Sequence, residues 1–357
     1  MHPSRILERL LNGQDLAEAE AADLLAQLTA PDLAPAMAGA LLAALRGKGV
    51  TPAEVRGLAG AMRALARQPA LPNAPDAIDI VGTGGDASGS LNLSTGAALL
   101  TAACGLPVVK HGNRSISSRS GSADFIEALG FKLPLDEHQA ATCFAATGFT
   151  FLFAPYFHPA MKSLAPIRTA LGVRTVFNLL GPLTNPAMPR FYLIGAYSAA
   201  AAELMAETLA GMEAERAWVI HGAAGWDEAT PIGPFLAFDV TRSGIQRHHI
   251  DPRDFGLPTC ESADLAGGDS AANVAALRAV FEGRDRGAHH AALVLQSGLA
   301  LFVAGRAATI SAGIEIASGA LANGSALQWL RHLEAYAAQA SGTAAMKRFT
   351  VAATERK

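Results

Sequence analysis

The stretch "DIVGTGGDASGSLNLST", residues 79–95, decides how the chain is read. Its lead-in, Ile78 to Val81, has the length and apolar character of a short buried strand, and Gly82, Gly84, Gly85 and Gly89 follow among hydroxyl and amide side chains. Glycine gives up more conformational freedom on folding than any other residue, so such a loop at a strand end is expected where a bound ligand compensates. Asn92, Ser94 and Thr95 stand where the next helix begins. Free N–H groups at a helix N-terminus beside hydroxyls suit a phosphate or pyrophosphate. Taken alone, the same residues are equally well read as a glycine-rich turn with an ordinary Asn/Ser helix cap. The spacing fits neither G-x-G-x-x-G nor G-x-x-x-x-G-K-[ST], which counts against a dinucleotide site and a P-loop.

On the N-terminal side, from Ser4 to about Arg67, Leu7, Leu10, Leu11, Leu16, Leu24, Leu25, Leu41, Leu42 and Leu45 recur at helical steps. Thr51-Pro52-Ala53-Glu54 reads as a helix start, with a hydroxyl cap, proline at the first helical position and a glutamate placed to reach back. The proline-rich "RQPALPNAPDA", residues 67–77, cannot continue a helix and marks a boundary. A helical unit over residues 1–71 and an α/β unit over 75–350 are therefore expected. On the C-terminal side, "LPVVK", "FTFLFA", "FYLIGA" and "AWVIHG" alternate with helical segments such as "STGAALLTAAC" and "SADFIEALG". That alternation predicts an α/β domain with a mostly parallel central sheet, and "FLAFDV" with "GIQRHHI" predicts an antiparallel hairpin added to it.

At 357 residues the chain exceeds the usual reach of one core, and 50% hydrophobic residues supply ample material for two. A formal net charge of −3 gives no global attraction to nucleic acid or acidic membranes, so neither partner is expected. Cys104, Cys143 and Cys260 are odd in number and in no metal-ligand spacing, which fits reduced thiols in a cytoplasmic protein. The N-terminus lacks an uncharged apolar stretch of the secretory type. The paired histidines His248-His249 and His289-His290 lack partner acids at ligand spacing and read as surface or strand residues.

A second polar loop, "KHGNRSISSRSGSADFIEALG", presents Lys110, His111, Asn113, Arg114 and Arg119 among five serines before a helix start at Ser122. Two such loops at C-terminal strand ends would meet at one edge of a parallel sheet, where its ligands bind. "WDEATPIGP", residues 226–234, puts Asp227 beside Glu228 in a turn. Adjacent acids repel unless a cation screens them, and Mg²⁺ favours one or two carboxylates plus phosphate oxygens. "HPAMKSLAPIRTALGVRTVFNLLGPLTNP", residues 158–186, reads as a helix carrying Arg168 and a short second helix broken at Gly181-Pro182. Arg168 could fork onto a substrate carboxylate.

The motifs "GTGGD", "NLST", "KHGNRSISSRSGSAD", "HPAMK", "GVRTVFNLLGPLTNPA" and "DE", in that order, resemble the anthranilate phosphoribosyltransferase family of tryptophan biosynthesis. The resemblance implies a small helical domain, joined by helices from about 165–185, with a larger α/β domain of the nucleoside phosphorylase/phosphoribosyltransferase type, in a cytoplasmic homodimer. It assigns 5-phosphoribosyl diphosphate to Gly82, Gly85, Asp86, Ser90, Asn92, Leu93, Ser94, Thr95, Lys110, His111, Gly112, Asn113, Arg114, Ser115, Ile116, Ser117, Ser118 and Ser122. It assigns Mg²⁺, two ions per site, to Ser94, Asp227 and Glu228. Anthranilate falls to Gly82, Asn113 and Arg168, with His111, His158 and Pro182 nearby. No residue is assigned as a catalytic acid or base; charge stabilisation by bound Mg²⁺ and Lys110 takes that place. The alternatives are a pyrimidine nucleoside phosphorylase, which would want a different first loop, and a noncatalytic nucleic-acid-binding relative, which would want a basic surface.

Overall fold

The computed structural model describes residues 1–354 apart from 72–73, 87 and 116–118. Four helices open the chain: α1 (Pro3–Leu11), α2 (Glu18–Thr29), α3 (Pro35–Lys48) and α4 (Pro52–Ala64). Thr51 caps α4 as its sequence demands: its hydroxyl accepts from the Glu54 N–H at 3.3 Å while the Glu54 carboxylate accepts from the Thr51 N–H at 2.9 Å. Leu24, Leu25, Leu41, Leu42 and Leu58 are fully buried between these helices. Leu11 is the exception to the leucine pattern: it closes α1, where the core-facing stripe has run out, and is 66% exposed.

Seven strands form one sheet in the order β3-β2-β1-β4-β5-β6-β7. They are β1 (Ile78–Gly82), β2 (Val108–Gly112), β3 (Phe149–Phe153), β4 (Phe191–Gly195), β5 (Arg216–His221), β6 (Phe235–Thr241) and β7 (Gly244–Ile250). The first five are parallel and the last two form the expected antiparallel hairpin. Parallel strands are covered on both faces, which is why β1 to β5 read as apolar runs. Alternate residues feed two separate cores: Leu193, Trp218 and Ile220 join one, while Tyr192, Ile194, Ala217 and Val219 join the other. The second core is continuous with α1 to α4, so the helical domain packs on one face of the sheet. Leu164, Val176, Phe177, Leu180 and Leu183, from the segment expected to join the helical domain, lie in that same core.

The chain leaves β1 for β2 and β3 on one side, then crosses to β4 on the other side of β1. That reversal opens a crevice beyond the C-terminal ends of β1 and β4, where Gly82 pairs in register with Gly195. The helix Phe177–Leu183 corrects one expectation, because it is not broken at Gly181-Pro182. Pro182 lies in the last turn, so its missing N–H removes one terminal bond of a helix that stops a residue later. Among the described residues no helix is long and apolar enough to cross a membrane.

Candidate active site

The crevice at the strand reversal is filled by the acidic turn. The Asp227 side chain lies so close to Gly82, and its backbone carbonyl so close to Gly195, that a Cβ at either glycine would collide with it. Gly222 makes the same allowance for the Glu228 carbonyl. Ala224, in the turn leading to Asp227, has φ 58°, a left-handed conformation that costs a non-glycine residue about 1–2 kcal/mol. Ala224→Gly should therefore raise stability by about 0.5–1 kcal/mol in urea titration; an unchanged midpoint would mean that the turn holds no strain.

The glycine-rich loop and helix α5 (Leu93–Ala103) close on these acids. Gly84, at φ 67°, donates its N–H to Asp227 Oδ2 at 2.6 Å, and Asp227 N–H donates to Asp86 Oδ2 at 3.4 Å. Ser94 N–H donates to Glu228 Oε1 at 3.0 Å, and the Ser90 hydroxyl donates to Glu228 Oε2 at 3.3 Å. Backbone groups suited to a phosphate thus point at carboxylates. Asn92 does not cap α5 with its side chain; it donates to the Ser120 carbonyl at 3.0 Å and accepts from Asn273 at 2.8 Å. The bland reading of the loop as a turn with a helix cap is thereby displaced. Thr95 and Leu93 are buried beneath the turn of helix.

Lys110 lies under this cluster, 1% exposed, donating to the Ile80 carbonyl at 2.5 Å with its Nζ 3.4 Å from the Ser94 hydroxyl. Burial lowers its pKa to about 8, opposed by the charges of Asp79, Glu228 and Asp227. Burial raises Asp79 to about 6 against the pull of Lys110, and raises Asp227 to about 7 with Asp86 adding repulsion. Glu228 is pushed well above the carboxylate range by burial, then by Asp227 and Asp86. The raised values show that Asp227 and Glu228 resist ionising side by side against Asp86, and a divalent cation is what would let both carry charge there. Among the described residues no group of three His, Cys, Asp or Glu side chains is arranged to hold a metal alone. A metal here would need oxygens from a ligand, the habit of Mg²⁺ rather than Zn²⁺.

The second loop follows β2. Its Gly112 lies against the Ser122 hydroxyl, which donates to the Asn113 carbonyl at 3.1 Å at the start of the helix Ser122–Ala128. Arg114 is already engaged, bonded to Asp124 at 2.8 Å and to Glu127 at 2.6 Å. Ser115 N–H reaches Asp124 at 3.4 Å, while Ile116, Ser117 and Ser118 lie outside the described residues.

Beside that loop, His111 meets the Gly181 carbonyl at 3.0 Å through Nδ1 and packs edge-on against His158, ring centroids 5.1 Å apart. The buried Pro182 follows directly. Among the described residues His111 Nε2 has no partner; nor does either His158 nitrogen in bonding geometry, although the backbone of Thr184 and Met62 lies near. Burial, reinforced by His158, lowers His111 to about 3, and burial lowers His158 to about 4. Both rings are neutral when folded, whereas the unfolded chain takes up their protons below about pH 6.5. The stability they confer is complete above that pH and lost as pH falls toward the folded values, by about 1.4 kcal/mol per pH unit for each ring. His158→Asn should make the fall between pH 6 and pH 4 shallower by about that slope, read from urea midpoints; parallel curves would mean that His158 is charged in the fold.

Arg168 sits on the helix Ala165–Leu171, its guanidinium 5.3 Å over the ring of Phe177, and no carboxylate pairs with it among the described residues. Two lesser readings of the sequence resolve here. Cys104, Cys143 and Cys260 are free thiols. His289 does have an acid partner, Asp285, at 3.1 Å in the loop just before its helix, and His289 and His290 open a helix rather than lie in a strand.

Comparison with known proteins supplies the family. The model described as "Glycosyl transferase family, a/b domain" matches residues 74–327, and "Glycosyl transferase family, helical bundle domain" matches 4–66. An anthranilate phosphoribosyltransferase from Rubrobacter xylanophilus is 46% identical over 265 residues, 74% of this chain and 78% of that relative. The chain belongs to the anthranilate phosphoribosyltransferase family. The solved structure of the family member from Thermus thermophilus superposes with a TM-score of 0.87 at 40% identity, covering 93% of this chain and 99% of that one. The Saccharomyces cerevisiae member, solved in complex with PRPP and Mg, gives 0.85 at 26% identity, covering 94% and 98%.

Sequence reasoning missed Gly195, Gly222 and Asn273, which shape the site of this family member. The glycines ending "FYLIG" and "VIHG" were visible as strand-end glycines, a sign of close backbone approach. Asn273 is 2% exposed inside the apolar helix Ser270–Phe281, and a polar residue on a buried helical face was its only signal.

Proposed function

We propose that this protein transfers the phosphoribosyl group of 5-phosphoribosyl diphosphate to the amine of anthranilate, giving N-(5-phosphoribosyl)anthranilate and pyrophosphate in tryptophan biosynthesis. The observation that carries this reading, in a chain of this family, is the convergence of the glycine-rich loop, the α5 N-terminus, Lys110 and the Asp227–Glu228 turn in one crevice. Loss of anthranilate fluorescence on mixing with the diphosphate and Mg²⁺, against a metal-free control, tests it; phosphate-dependent release of base from uridine or thymidine would instead favour a nucleoside phosphorylase.

In this reading Gly82, Gly85, Asp86, Ser90, Asn92 to Thr95, the loop Lys110 to Ser118, and Ser122 hold the diphosphate. The Gly84 and Ser94 N–H groups donate to Asp227 and Glu228, which sets the acidic turn directly against the loop and helix end that would hold the diphosphate. Ser94, Asp227 and Glu228 would hold Mg²⁺, two ions per site. Bound there, the metal neutralises diphosphate charge and makes pyrophosphate a better leaving group. Lys110, mostly charged at neutral pH, adds fixed positive potential beneath the same phosphates. Departure of pyrophosphate leaves an electron-poor ribose C1, which the anthranilate amine attacks from the opposite face.

Gly82, Asn113 and Arg168 bind anthranilate, with His111, His158 and Pro182 lining its approach. The amine proton becomes acidic as the C–N bond forms and is released to solvent or to a pyrophosphate oxygen, since two neutral histidines whose pKa values lie far below 7 are not strong bases. Orientation in a shared cleft then supplies much of the acceleration.

Domains over 1–71 and 75–350 and a cytoplasmic homodimer belong to the same proposal. An open apolar groove of about 540 Å³, lined by Pro35, Gly39, Ala43, Ile167 and Leu171, supports a second copy seated on the helical domain, and sedimentation velocity separates the two states. The charge of −3 supports the absence of nucleic acid.

A further inference from the structure

Arg174 is assigned no role above, yet it makes three contacts that link the glycine-rich loop, Tyr197 and α3. Its guanidinium donates to the Gly85 carbonyl, and the guanidinium carbon lies 4.2 Å over the ring of Tyr197. Its own backbone carbonyl accepts from Arg46 Nη1 of α3 at 2.5 Å. Tyr197 in turn donates its N–H to the Thr83 hydroxyl at 3.1 Å. The glycine-rich loop is thus held at Gly85 by the Arg174 side chain, which rests on the Tyr197 ring, while the Tyr197 backbone N–H holds Thr83 beside the bonds of Thr83 to Gly195 and of Gly84 to Asp227. Gly85 has φ 75°, a conformation that glycine adopts as readily as its mirror image, so nothing in its own backbone fixes the direction of its carbonyl. Among the described residues Arg174 pairs with no carboxylate; its charge is spent on the aromatic face and one peptide oxygen.

We propose that Arg174 is a positioning residue: braced on Tyr197 and anchored to α3 through Arg46, it holds the loop Thr83–Asp86 in the geometry that receives the diphosphate and ties that loop to the helical domain. The inference deepens the function proposed above and rests on it for the identity of the ligand. It places the support of the diphosphate loop three residues beyond the helix Ala165–Leu171 that carries Arg168, so one short segment serves both substrates.

Hydrogen exchange of the loop amides, Thr83 to Asp86, in the ligand-free protein reads the support without requiring turnover. Arg174→Ala removes a charge-assisted bond to the Gly85 carbonyl and should speed exchange by about tenfold. Tyr197→Leu removes the brace and should speed it by about threefold. The double variant should exchange no faster than Arg174→Ala alone, because the two side chains act as one unit. Loop exchange unchanged in Arg174→Ala, or effects that multiply in the double variant, would overturn the proposal.

The kinetic arm should show KM for the diphosphate raised about tenfold in Arg174→Ala, partly restored in Arg174→Lys, with kcat and the KM for anthranilate within about twofold of wild type. Arg174 is exposed, so a general fold defect is not expected from its loss. A parallel rise in both KM values would assign it an ordinary structural role, and an unchanged diphosphate KM would sink it. If the proposed function were wrong, wild type itself would show no turnover while the exchange result would still decide the role of Arg174.

Discussion

Replacing Asp227 by Asn and Glu228 by Gln together should cut Mg²⁺-dependent turnover by about a thousandfold or more while making the metal-free protein more stable than wild type. Both halves follow from one arrangement. The two carboxylates are buried at the mouth of the sheet crevice with Asp86 against Asp227, and burial with mutual repulsion raises both pKa values, Asp227 to about 7. An acid whose folded pKa exceeds its unfolded value loses stability as pH rises from the unfolded value, and the loss is complete above the folded one, so the penalty is large at pH 8 and shrinks on acidification toward the ordinary carboxylate range. The amides remove that charge yet keep a carbonyl oxygen for the Gly84 and Ser94 N–H groups. A gain of about 2 kcal/mol in the metal-free denaturation free energy at pH 8 is expected, fading as pH falls toward about 4. Diphosphate with Mg²⁺ should raise the melting temperature of wild type and leave that of the variant unmoved. Wild-type rates in the variant would remove the metal assignment, and a less stable metal-free variant would remove the electrostatic account.

The parts of the fold legible in the sequence were those that depend on neighbours along the chain. β1 to β5 announced themselves because a strand covered on both faces must be apolar throughout, and Thr51 to Glu54 announced α4 because a capping box is local chemistry. The sharing of one core between α1 to α4 and a face of the sheet was not legible, since Tyr192 and Ile194 alternate with Leu193 in a run that reads as uniformly hydrophobic. Helix ends were the other weak point. Leu11 fits the leucine pattern but falls past the last turn that faces the core, and Pro182 is tolerated because only a terminal bond is lost.

The site divides along the same line. Loops at strand ends, the paired acids and Lys110 could be found because each sits beside a strand or helix signal. That Gly84 and Ser94 would turn their N–H groups onto Asp227 and Glu228 depends on chain segments more than 130 positions apart, which no local pattern encodes. Arg114 shows the converse: the resemblance assigned it to the diphosphate, and its side chain bonds Asp124 and Glu127. Asn92 was read as a helix cap or phosphate ligand; its side chain bridges Ser120 and Asn273 rather than capping α5. The residue types suit an anion site; which of them face each other is a tertiary matter.

Arg168→Ala should raise the KM for anthranilate about a hundredfold and leave the KM for the diphosphate within about twofold. The side chain is partly buried, desolvation lowers its pKa from the usual guanidinium value, and no described carboxylate compensates its charge. Phe177 lies beneath it at 5.3 Å and the helix Ala165–Leu171 fixes its origin, so the fork is held with little freedom left to lose on binding. A cation kept in that state is costly unless an anion arrives, and a planar carboxylate on an aromatic ring matches the guanidinium fork in shape and charge. Loss of a bidentate, charge-assisted pair is worth about 2–3 kcal/mol, which sets the hundredfold figure. Arg168→Lys should recover only part of it, because one ammonium cannot reproduce two parallel bonds. Aniline, which keeps the amine and lacks the carboxylate, should be a poor substrate for wild type and equally poor for Arg168→Ala. Should the variant weaken both substrates alike, or discriminate against aniline as strongly as wild type does, the carboxylate is bound elsewhere.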